Sequence, residues 1–351
     1  MKAQVKALVC GANFGKFYLQ ACNNSKQIAL TGLLSRGSEN SQALAKAYKI
    51  PLFTDVTTIS NNQADIAVIA AKSLITGGKS SQTVKQLLQQ GVSVLQEQPV
   101  HAKEAVEISQ SIRNENQIYC VNNFYRFLPA VQRFVQYAKQ LSRTYPILRL
   151  SFRCASQVLY ALIDVLYELF DGIHTFDVTK ILDGNRSVLA GTLNAIPFVF
   201  HYYNEYAADI DGSLAIFFDI QLDTPAGNLI LNDPEGEVLW QSHLQYNRDA
   251  DFSAKEFQML QPLEVLFDGK AKNYAQKYRE IWPQAMAQSI LNGYQNTLQA
   301  ETAKQTVQRT LAQCAYCLQI TTAAGRPKKI EIPYRTDLPS IDRWKHDCVL
   351  T

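Results

Sequence analysis

The sequence lacks the patterns that mark several classes of protein. Its five histidines include no pair at metal-ligand spacing, so no metal site is expected. The formal net charge is only +3 over 351 residues, which gives no reason to expect a nucleic-acid partner. The most apolar helical stretch, residues 158–170, is interrupted by Asp164 and Glu168, so no membrane span is expected.

Cysteine is neither abundant nor arranged in pairs. Seven cysteines, an odd number, are scattered along the chain, which argues against a disulfide framework and favours a reducing compartment. Cys314 and Cys317 form a C-x-x-C inside a helical pattern without a second pair, so we interpret them as structural thiols. The first residues lack the apolar core of a signal peptide. These features together predict a cytoplasmic protein.

The first 124 residues alternate short apolar runs with amphipathic stretches. This alternation predicts an α/β domain, residues 1–124, with a doubly wound parallel sheet of the Rossmann type. The predicted strands are 5–10, 28–34, 65–71, 93–96 and 118–121, and the predicted helices are 14–23, 38–48, 83–90 and 102–116.

The pattern changes after residue 124. Two helices are followed by strands without intervening helices, and the chain is helical again from residue 274, with Pro283 expected to kink or split it. The second domain, residues 125–351, is therefore predicted to be α+β, with an open, largely antiparallel sheet covered by helices. Its predicted helices are 128–141 and 157–170, and its predicted strands are 188–193, 198–206, 213–222, 227–231 and 237–244.

A glycine turn connects the first strand to the first helix, where a Rossmann fold binds the pyrophosphate of a dinucleotide. The turn consists of Gly11, Ala12, Asn13, Phe14 and Gly15. A tight turn needs a residue without a Cβ, and the free N–H groups of the helix attract phosphate. The usual G-x-G-x-x-G would have glycine at position 13, and we expect Asn13 to replace it because asparagine tolerates a left-handed backbone.

The end of the second strand predicts which cofactor is preferred. An NAD site places a carboxylate there to bind the ribose hydroxyls, whereas this sequence has Ser35, Arg36 and Ser38. A guanidinium between two hydroxyls suits a 2′-phosphate, so NADPH is the expected cofactor. Four residues at the ends of the later strands complete the expected cofactor site: Ala71, Lys72, Glu97 and Gln98.

Several segments resemble known families. Glu97-Gln98-Pro99 resembles the Glu-Lys-Pro of the glucose–fructose oxidoreductase superfamily. More closely, five segments resemble the thiazolinyl imine reductases of siderophore biosynthesis. These are residues 11–18 (GANFGKFY), 33–38 with 50–53, 96–101 (QEQPVH), 122–125 (NNFY) and 156–166 (SQVLYALIDVL).

The closer resemblance implies an enzyme that uses NADPH to reduce the C=N bond of a thiazoline to a thiazolidine. Hydride goes to carbon and a general acid protonates nitrogen. The substrate would be tethered through phosphopantetheine to a carrier domain of a nonribosomal peptide synthetase, which makes that domain the expected partner.

The general acid has three candidates. The resemblance implies a lysine or histidine at position 98, but Gln98 cannot donate a proton and remain a stable anion. Tyr125 matches the tyrosine proposed as the acid in the imine reductases. His101 belongs to a residue type that often transfers protons near neutral pH, although it also suits a role in capping the next helix. His174 lies in a partial match to the superfamily's D-x-G-x-H-x-x-D and is assigned a structural or substrate-orienting role.

Two other functions remain open. The first is a sugar or polyol dehydrogenase of the same superfamily, although it would lack the lysine and the leading aspartate, whose position Phe170 occupies. The second is a catalytically weak regulator that binds the cofactor. The long run of later strands carries aromatic residues on both faces, more than one layer of helices can cover, so we also expect a homodimer.

Overall fold

The structure, a computed structural model, describes residues 4–71, 80–184, 186–207, 215–243, 262–269 and 273–330. Its first sheet has the strand order β3-β2-β1-β4-β5-β6, with all pairs parallel. The strands are β1 (Val5–Cys10), β2 (Ile28–Leu34), β3 (Leu52–Phe53), β4 (Ile66–Ile69), β5 (Ser93–Glu97) and β6 (Tyr119–Asn122). The predicted Rossmann sheet is confirmed.

Helices cover both faces of this sheet, which is why its central strand β4 is buried along its whole length. They are α1 (Gly15–Asn24), α2 (Glu39–Tyr48), α3 (Ser80–Gln89) and α4 (Ala102–Ser109). The prediction that α4 runs to residue 116 is wrong. The buried side chain of Gln117 holds the following loop instead, because it accepts from the Arg113 N–H and donates to the carbonyls of Leu88 and Val92.

The second sheet has eight strands in the order β15-β14-β13-β12-β7-β10-β9-β8. Only β7 and β10 pair in parallel, so the predicted open, largely antiparallel sheet is confirmed. Three strands were not predicted: β7 (Arg149–Ala155), β8 (Phe176–Leu182) and β15 (Leu263–Phe267). The others are β9 (Arg186–Leu193), β10 (Ile196–Tyr203), β12 (Phe218–Thr224), β13 (Gly227–Leu231) and β14 (Val238–Ser242).

One face of the second sheet is packed and the other is open. In β12 the buried residues Phe218, Ile220 and Leu222 alternate with more accessible polar residues. Helices α5 (Pro129–Leu141) and α6 (Leu159–Leu169) cover the buried face. Residues that are paired directly across two strands lie on the same face of the sheet. The alternation in β12 therefore also determines which residues of the neighbouring strands face the helices and which face outward.

The predicted strand 198–206 is broken at Asn204. Its carbonyl accepts from the Lys328 N–H and its side chain donates to the Gly325 carbonyl, at 2.9 Å each. The chain then forms β11 (Glu205–Ala207), which pairs with β16 (Lys328–Ile330) in a separate two-stranded sheet. A contact with residues 325–328 therefore overrides the local strand pattern.

The last two helices return to the first domain. A short turn (Tyr274–Gln276) and a π-helical segment (Lys277–Ile281) lead into α7 (Trp282–Gln295), which is followed by α8 (Ala300–Ala324). Pro283 lies in the first turn of α7, where no backbone N–H bond is lost, so the helical stretch changes type there without ending. Helix α7 packs against α1, and α8 packs against α4 and α6.

The longest described helix is α8, with 25 residues. Within the described ranges, no helix combines the length and the apolarity needed to cross a bilayer.

Candidate active site

The strand order of the first sheet reverses between β1 and β4, which opens a crevice at the carboxyl ends of these strands. Gly11 follows β1 with a left-handed φ of 102°. A Cβ at this position would lie 2.9 Å from the Ala70 carbonyl oxygen, just after β4. The turn therefore requires glycine both for its backbone conformation and for this close approach.

The rest of the glycine turn leads into α1. Phe14 is the N-cap residue and provides no side-chain hydrogen bond, so no capping side chain competes with an anion for the first N–H groups of α1. Gly15 is buried, and a Cβ there would lie 3.1 Å from a methyl group of Val9. The expectation that Asn13 adopts a left-handed backbone is wrong, since its φ is not positive. Ala12 has no positive φ either, so neither residue needs the conformational freedom of glycine.

The end of β2 presents one free cation. Arg36 is exposed, and no hydrogen bond or ion pair engages its guanidinium among the described residues. Ser38 is the N-cap of α2, and its hydroxyl accepts from the Ser41 N–H, so this hydroxyl is already used by the helix. The Ser35 N–H donates to the Phe53 carbonyl. Arg36 and the first turn of α2 are therefore the features that suit a phosphate.

The end of β4 is only partly described. Ala71 is exposed directly after the strand, next to the glycine turn. Lys72, the other expected cofactor contact in this loop, lies outside the described residues.

Three polar side chains meet where β5 and β6 end. The Tyr18 hydroxyl donates to Oε1 of Glu97, and the Asn122 amide donates to the same oxygen at 2.9 Å and to the Tyr18 oxygen at 2.5 Å. Burial raises the pKa of Glu97 to about 7, although the hydrogen bonds from Tyr18 and Asn122 act to lower it. At neutral pH this carboxyl is therefore divided between its acid and its anion.

Gln98 connects the two domains. It follows Glu97, precedes Pro99 across a cis peptide bond, and accepts the Ala161 N–H in the first turn of α6 at 3.1 Å. An N–H in the first turn of a helix has no partner within the helix, so the amide oxygen provides it with one. Gln98 therefore acts as a hydrogen-bond acceptor rather than as an acid.

Tyr125 lies beside this cluster in an aromatic environment. Its ring stacks on Phe124 with centroids 4.3 Å apart and contacts Phe217 and Trp282. Burial raises the pKa of Tyr125 well above 10, and the nearby charge of Glu97 adds to the effect. The phenol therefore stays protonated.

A buried ion pair lies on the other side of these rings. Lys277, in the π-helical segment, is 3.1 Å from Glu235, and the side chains are only 5% and 9% exposed. Its ammonium lies 4.1 Å from the ring centre of Phe217 and 4.9 Å from that of Trp282, whose indole N–H donates to Glu235. Both rings also touch Tyr125. Aromatic faces favour such a cation, which offsets part of the cost of its burial.

Among the described residues, no hydrogen bond or ring contact joins either histidine candidate to Tyr125. Nδ1 of His101 accepts the Lys103 N–H at 3.2 Å and caps α4, which is the alternative role that the sequence allowed. His174 is exposed beyond the end of α6. Helix α6 rises roughly 12 Å between Ala161, which contacts Gln98, and Leu169. His174 therefore lies at the far end of α6 from this contact.

The partial motif around His174 ends at an exposed carboxylate. Asp177 is exposed on β8, whereas the buried carboxylate of this region is Asp164 in α6. Its oxygens accept from Arg309 at 2.6 Å, from Asn123 at 2.9 Å and from Gln313 at 2.7 Å. Burial alone would raise the pKa of Asp164, but Arg309 and the nearby Arg126 lower it to about 2. Asp164 is therefore a fixed anion.

Sequence reasoning missed five residues of this site: Tyr18, Asn122, Asp164, Lys277 and Arg309. The first three lie inside the segments that carry the family resemblance, and their polar character at predicted buried positions was a usable signal. The other two come from the distant C-terminal region, where no local pattern relates them to the strand ends.

Comparison with known families agrees with the fold. Residues 5–123 match the model of the GFO/IDH/MocA oxidoreductase family, described as having an NAD-binding Rossmann fold. The wider of the two resemblances is thus confirmed for this stretch. No curated protein matches the chain. The narrower resemblance, to thiazolinyl imine reductases, gains no support from the comparisons and stays a prediction.

Solved structures share the complete architecture at low sequence identity. An oxidoreductase from Agrobacterium radiobacter, in complex with NAD+, L-tartaric acid and magnesium, aligns with a TM-score of 0.66 and 11% identity over 92% of this chain and 97% of its own. A UDP-N-acetylglucosamine 3-dehydrogenase from Acidithiobacillus ferrooxidans gives 0.64 and 13% over 92% and 98%. A 3-ketoreductase from Actinomadura kijaniata, in complex with NADP, gives 0.61 and 13% over 94% and 100%. These similarities establish the fold.

We predict that Asp164→Asn strongly destabilises the protein. The substitution leaves the partly buried Arg309 and Arg126 beside a neutral amide, and removing one partner of a buried pair costs about 3–5 kcal/mol of unfolding free energy. The folded pKa of Asp164 lies below its ordinary 3.8, so its stabilisation is present above that value and is lost as the pH falls toward 2. Urea unfolding at pH 7 measures the loss.

Glu168→Gln is the matched control. Glu168 contacts the same two arginines, but its side chain is 36% exposed, so its loss should cost less than about 1 kcal/mol. Equal, small losses of unfolding free energy for the two variants would show that Asp164 does not hold α6 and α8 together.

Proposed function

We propose that the protein is an oxidoreductase that uses a nicotinamide dinucleotide. The observation that carries this proposal is the position of the Tyr18–Glu97–Asn122 cluster and Tyr125 at the carboxyl ends of β5 and β6. These strands belong to the sheet whose β1 end carries the Gly11 turn. Dinucleotides bind along this edge in doubly wound sheets.

The chain's residues fit such a cofactor. The Gly11 turn and the uncapped start of α1 would hold the pyrophosphate, and Arg36 with the first turn of α2 would hold a 2′-phosphate. Glu97 and Gln98, at the end of β5, would lie toward the nicotinamide end. When bound, the reduced nicotinamide supplies a hydride. The buried rings of Phe124, Tyr125 and Trp282 would exclude water from the place where it is delivered.

A sugar or polyol is the substrate class that the solved relatives support. Two of the three relatives are named as a sugar-nucleotide dehydrogenase and a ketoreductase. These names agree better with the sugar or polyol dehydrogenase that the sequence left open than with thiazoline reduction. Alcohol oxidation needs a base, and Gln98 provides none. Glu97, whose pKa of about 7 lets it accept a proton at neutral pH, is the group available for that role.

A thiazoline C=N bond is the second substrate class, and one observation favours it. Hydrogen bonds connect four of the five segments that carry the imine-reductase resemblance: Tyr18 meets Glu97 and Asn122, Gln98 meets Ala161, and Asn123 meets Asp164. The resemblance is thus concentrated in one site rather than spread over the fold. For this substrate the partner would be a peptide-synthetase carrier domain bearing phosphopantetheine.

A substrate panel separates these classes. Oxidation of NADPH or NADH is followed with a synthetic aryl-thiazoline thioester and with 3-keto sugars, and reduction of NADP+ or NAD+ with inositol and sugar nucleotides. Turnover of the thiazoline alone assigns imine reduction, and turnover of the sugars alone assigns the dehydrogenase. Tight cofactor binding without turnover of any substrate would favour the regulator instead.

We predict that NADPH is preferred over NADH through Arg36. A charge-assisted contact is worth about 1.5–3 kcal/mol, so Arg36→Ala should weaken NADPH binding about ten- to a hundredfold and leave NADH binding unchanged. Calorimetric titration of both cofactors measures this. Arg143→Ala, which removes an exposed arginine after α5, is the control, and an equal loss for both cofactors in Arg36→Ala would refute the assignment.

We also propose that the open face of the second sheet forms a homodimer. Ile230, Leu239 and Val265 are paired side by side across β13, β14 and β15 on this face, and Val265 is 52% exposed. Light scattering at tens of micromolar should report a dimer, and Val265→Lys should weaken it. Leu148→Lys, at a 50% exposed site before β7, is the control, and a monomeric wild type would defeat the proposal.

A further inference from the structure

The candidate site has few groups that can release a proton. The oxygen of Gln98 is engaged by α6, His101 caps α4, and His174 lies beyond the far end of α6. Among the described residues near the ends of β5 and β6, Lys277 is paired with Glu235, and burial raises the pKa of the Cys120 thiol to about 12. The ionisable side chains that remain near the aromatic cluster are Glu97, Tyr18 and Tyr125.

The two phenols are poor proton donors. Tyr18 is fully buried, and its hydroxyl already donates to Glu97. Burial raises the pKa of Tyr18 and of Tyr125 well above 10, and the charge of Glu97 raises both further. Each phenol therefore holds its proton against a neutral acceptor and serves better as a hydrogen-bond donor.

Glu97 differs from the phenols in geometry. Both hydrogen bonds that it receives, from Tyr18 and from Asn122, go to Oε1. No hydrogen bond reaches Oε2 among the described residues, and the side chain is only partly buried. One oxygen is therefore anchored between α1 and β6, while the other is free to carry a proton toward a ligand at the end of the sheet.

We propose that Glu97 is the catalytic acid, and that it donates its Oε2 proton to the nitrogen or oxygen of the double bond that is reduced. This assignment rests on the proposed function. The carbon of the double bond gains the hydride, the heteroatom gains the proton of Glu97, and the double bond becomes a single bond. The Glu97 carboxylate then recovers a proton from water. In the direction of oxidation the same carboxylate accepts the proton.

The groups that face Glu97 determine when it can act. From α1 comes the Tyr18 hydroxyl, from β6 the Asn122 amide and the Cys120 thiol, and from the turn after β6 the Tyr125 phenol. No lysine or arginine pairs with Glu97 among the described residues. Burial thus acts without a compensating cation, and the acid form persists to a pKa of about 7.

The pH dependence of the reductive turnover number tests this role. In the wild type, turnover should fall as the pH rises through about 7, because the acid loses its proton. Glu97→Gln keeps the acceptor for Tyr18 but has no acidic proton, so it should lower turnover about 10²- to 10⁴-fold and abolish this limb of the profile. Glu107→Gln, an exposed glutamate of α4, is the matched control and should retain the wild-type profile.

Tyr18→Phe gives a directional test. The hydrogen bond from Tyr18 lowers the pKa of Glu97, so its removal should move the limb to higher pH while the ring keeps its packing. Tyr125→Phe should leave the midpoint near 7 in place. If the limb disappears in Tyr125→Phe and persists in Glu97→Gln, the tyrosine is the acid and the proposal is wrong.

Infrared difference spectroscopy tests the ionisation of Glu97 without any substrate. The carbonyl stretch of a protonated carboxyl should disappear with a midpoint near pH 7 in the wild type and be absent from Glu97→Gln. Absence of that band at pH 6 in the wild type would overturn the proposal even in an active enzyme. Failure to bind either nicotinamide cofactor, with the band present, would instead refute the proposed function.

Discussion

The buried carboxylate of Asp164 is the constraint on which the rest of the site depends. An ionised carboxylate inside a protein is costly unless charges and hydrogen bonds surround it, and here its partners come from separate parts of the chain. Asn123 and Arg126 follow β6, whereas Arg309 and Gln313 belong to α8. The cost of leaving this charge unpaired therefore fixes the C-terminal helix, α6 and the turn that carries Tyr125 in one arrangement.

A second buried charge fixes the opposite side of Tyr125. The Lys277–Glu235 pair holds the indole of Trp282, whose ring contacts Tyr125 and also Phe14 in the glycine turn. One aromatic side chain thus connects the expected pyrophosphate site with the expected reaction site. The π-helical geometry at Lys277 changes the direction of the side chains immediately before α7, and such segments are frequent at functional sites.

The sequence predicted those features that depend on local backbone requirements. Gly11 and the order of strands and helices in the first domain follow from periodicity and from a turn that excludes a Cβ. Strand β7 was not predicted, although Leu150, Phe152 and Cys154 alternate with polar residues there, because a longer helical pattern follows it directly. The pairing of Arg309 with Asp164 joins residues 145 positions apart, so no local pattern contains it. His174 matches part of a family motif, but the buried carboxylate of this region, Asp164, lies in α6 and outside that motif.

Among the described residues no free cation lies beside Glu97, which bears on how the site can stabilise charge during a reduction. Reduction of C=O places negative charge on oxygen in the transition state, whereas reduction of C=N is easiest when nitrogen is protonated and carries positive charge. Lys277 is already paired with Glu235, and the guanidinium groups of Arg126 and Arg309 are held by Asp164 and Glu168. Proton transfer from Glu97 neutralises the charge that develops on a carbonyl oxygen, whereas transfer to an imine nitrogen leaves a carboxylate that stabilises the protonated nitrogen. The described residues thus provide a proton donor for the heteroatom of either double bond, C=N or C=O, but no free cation beside it.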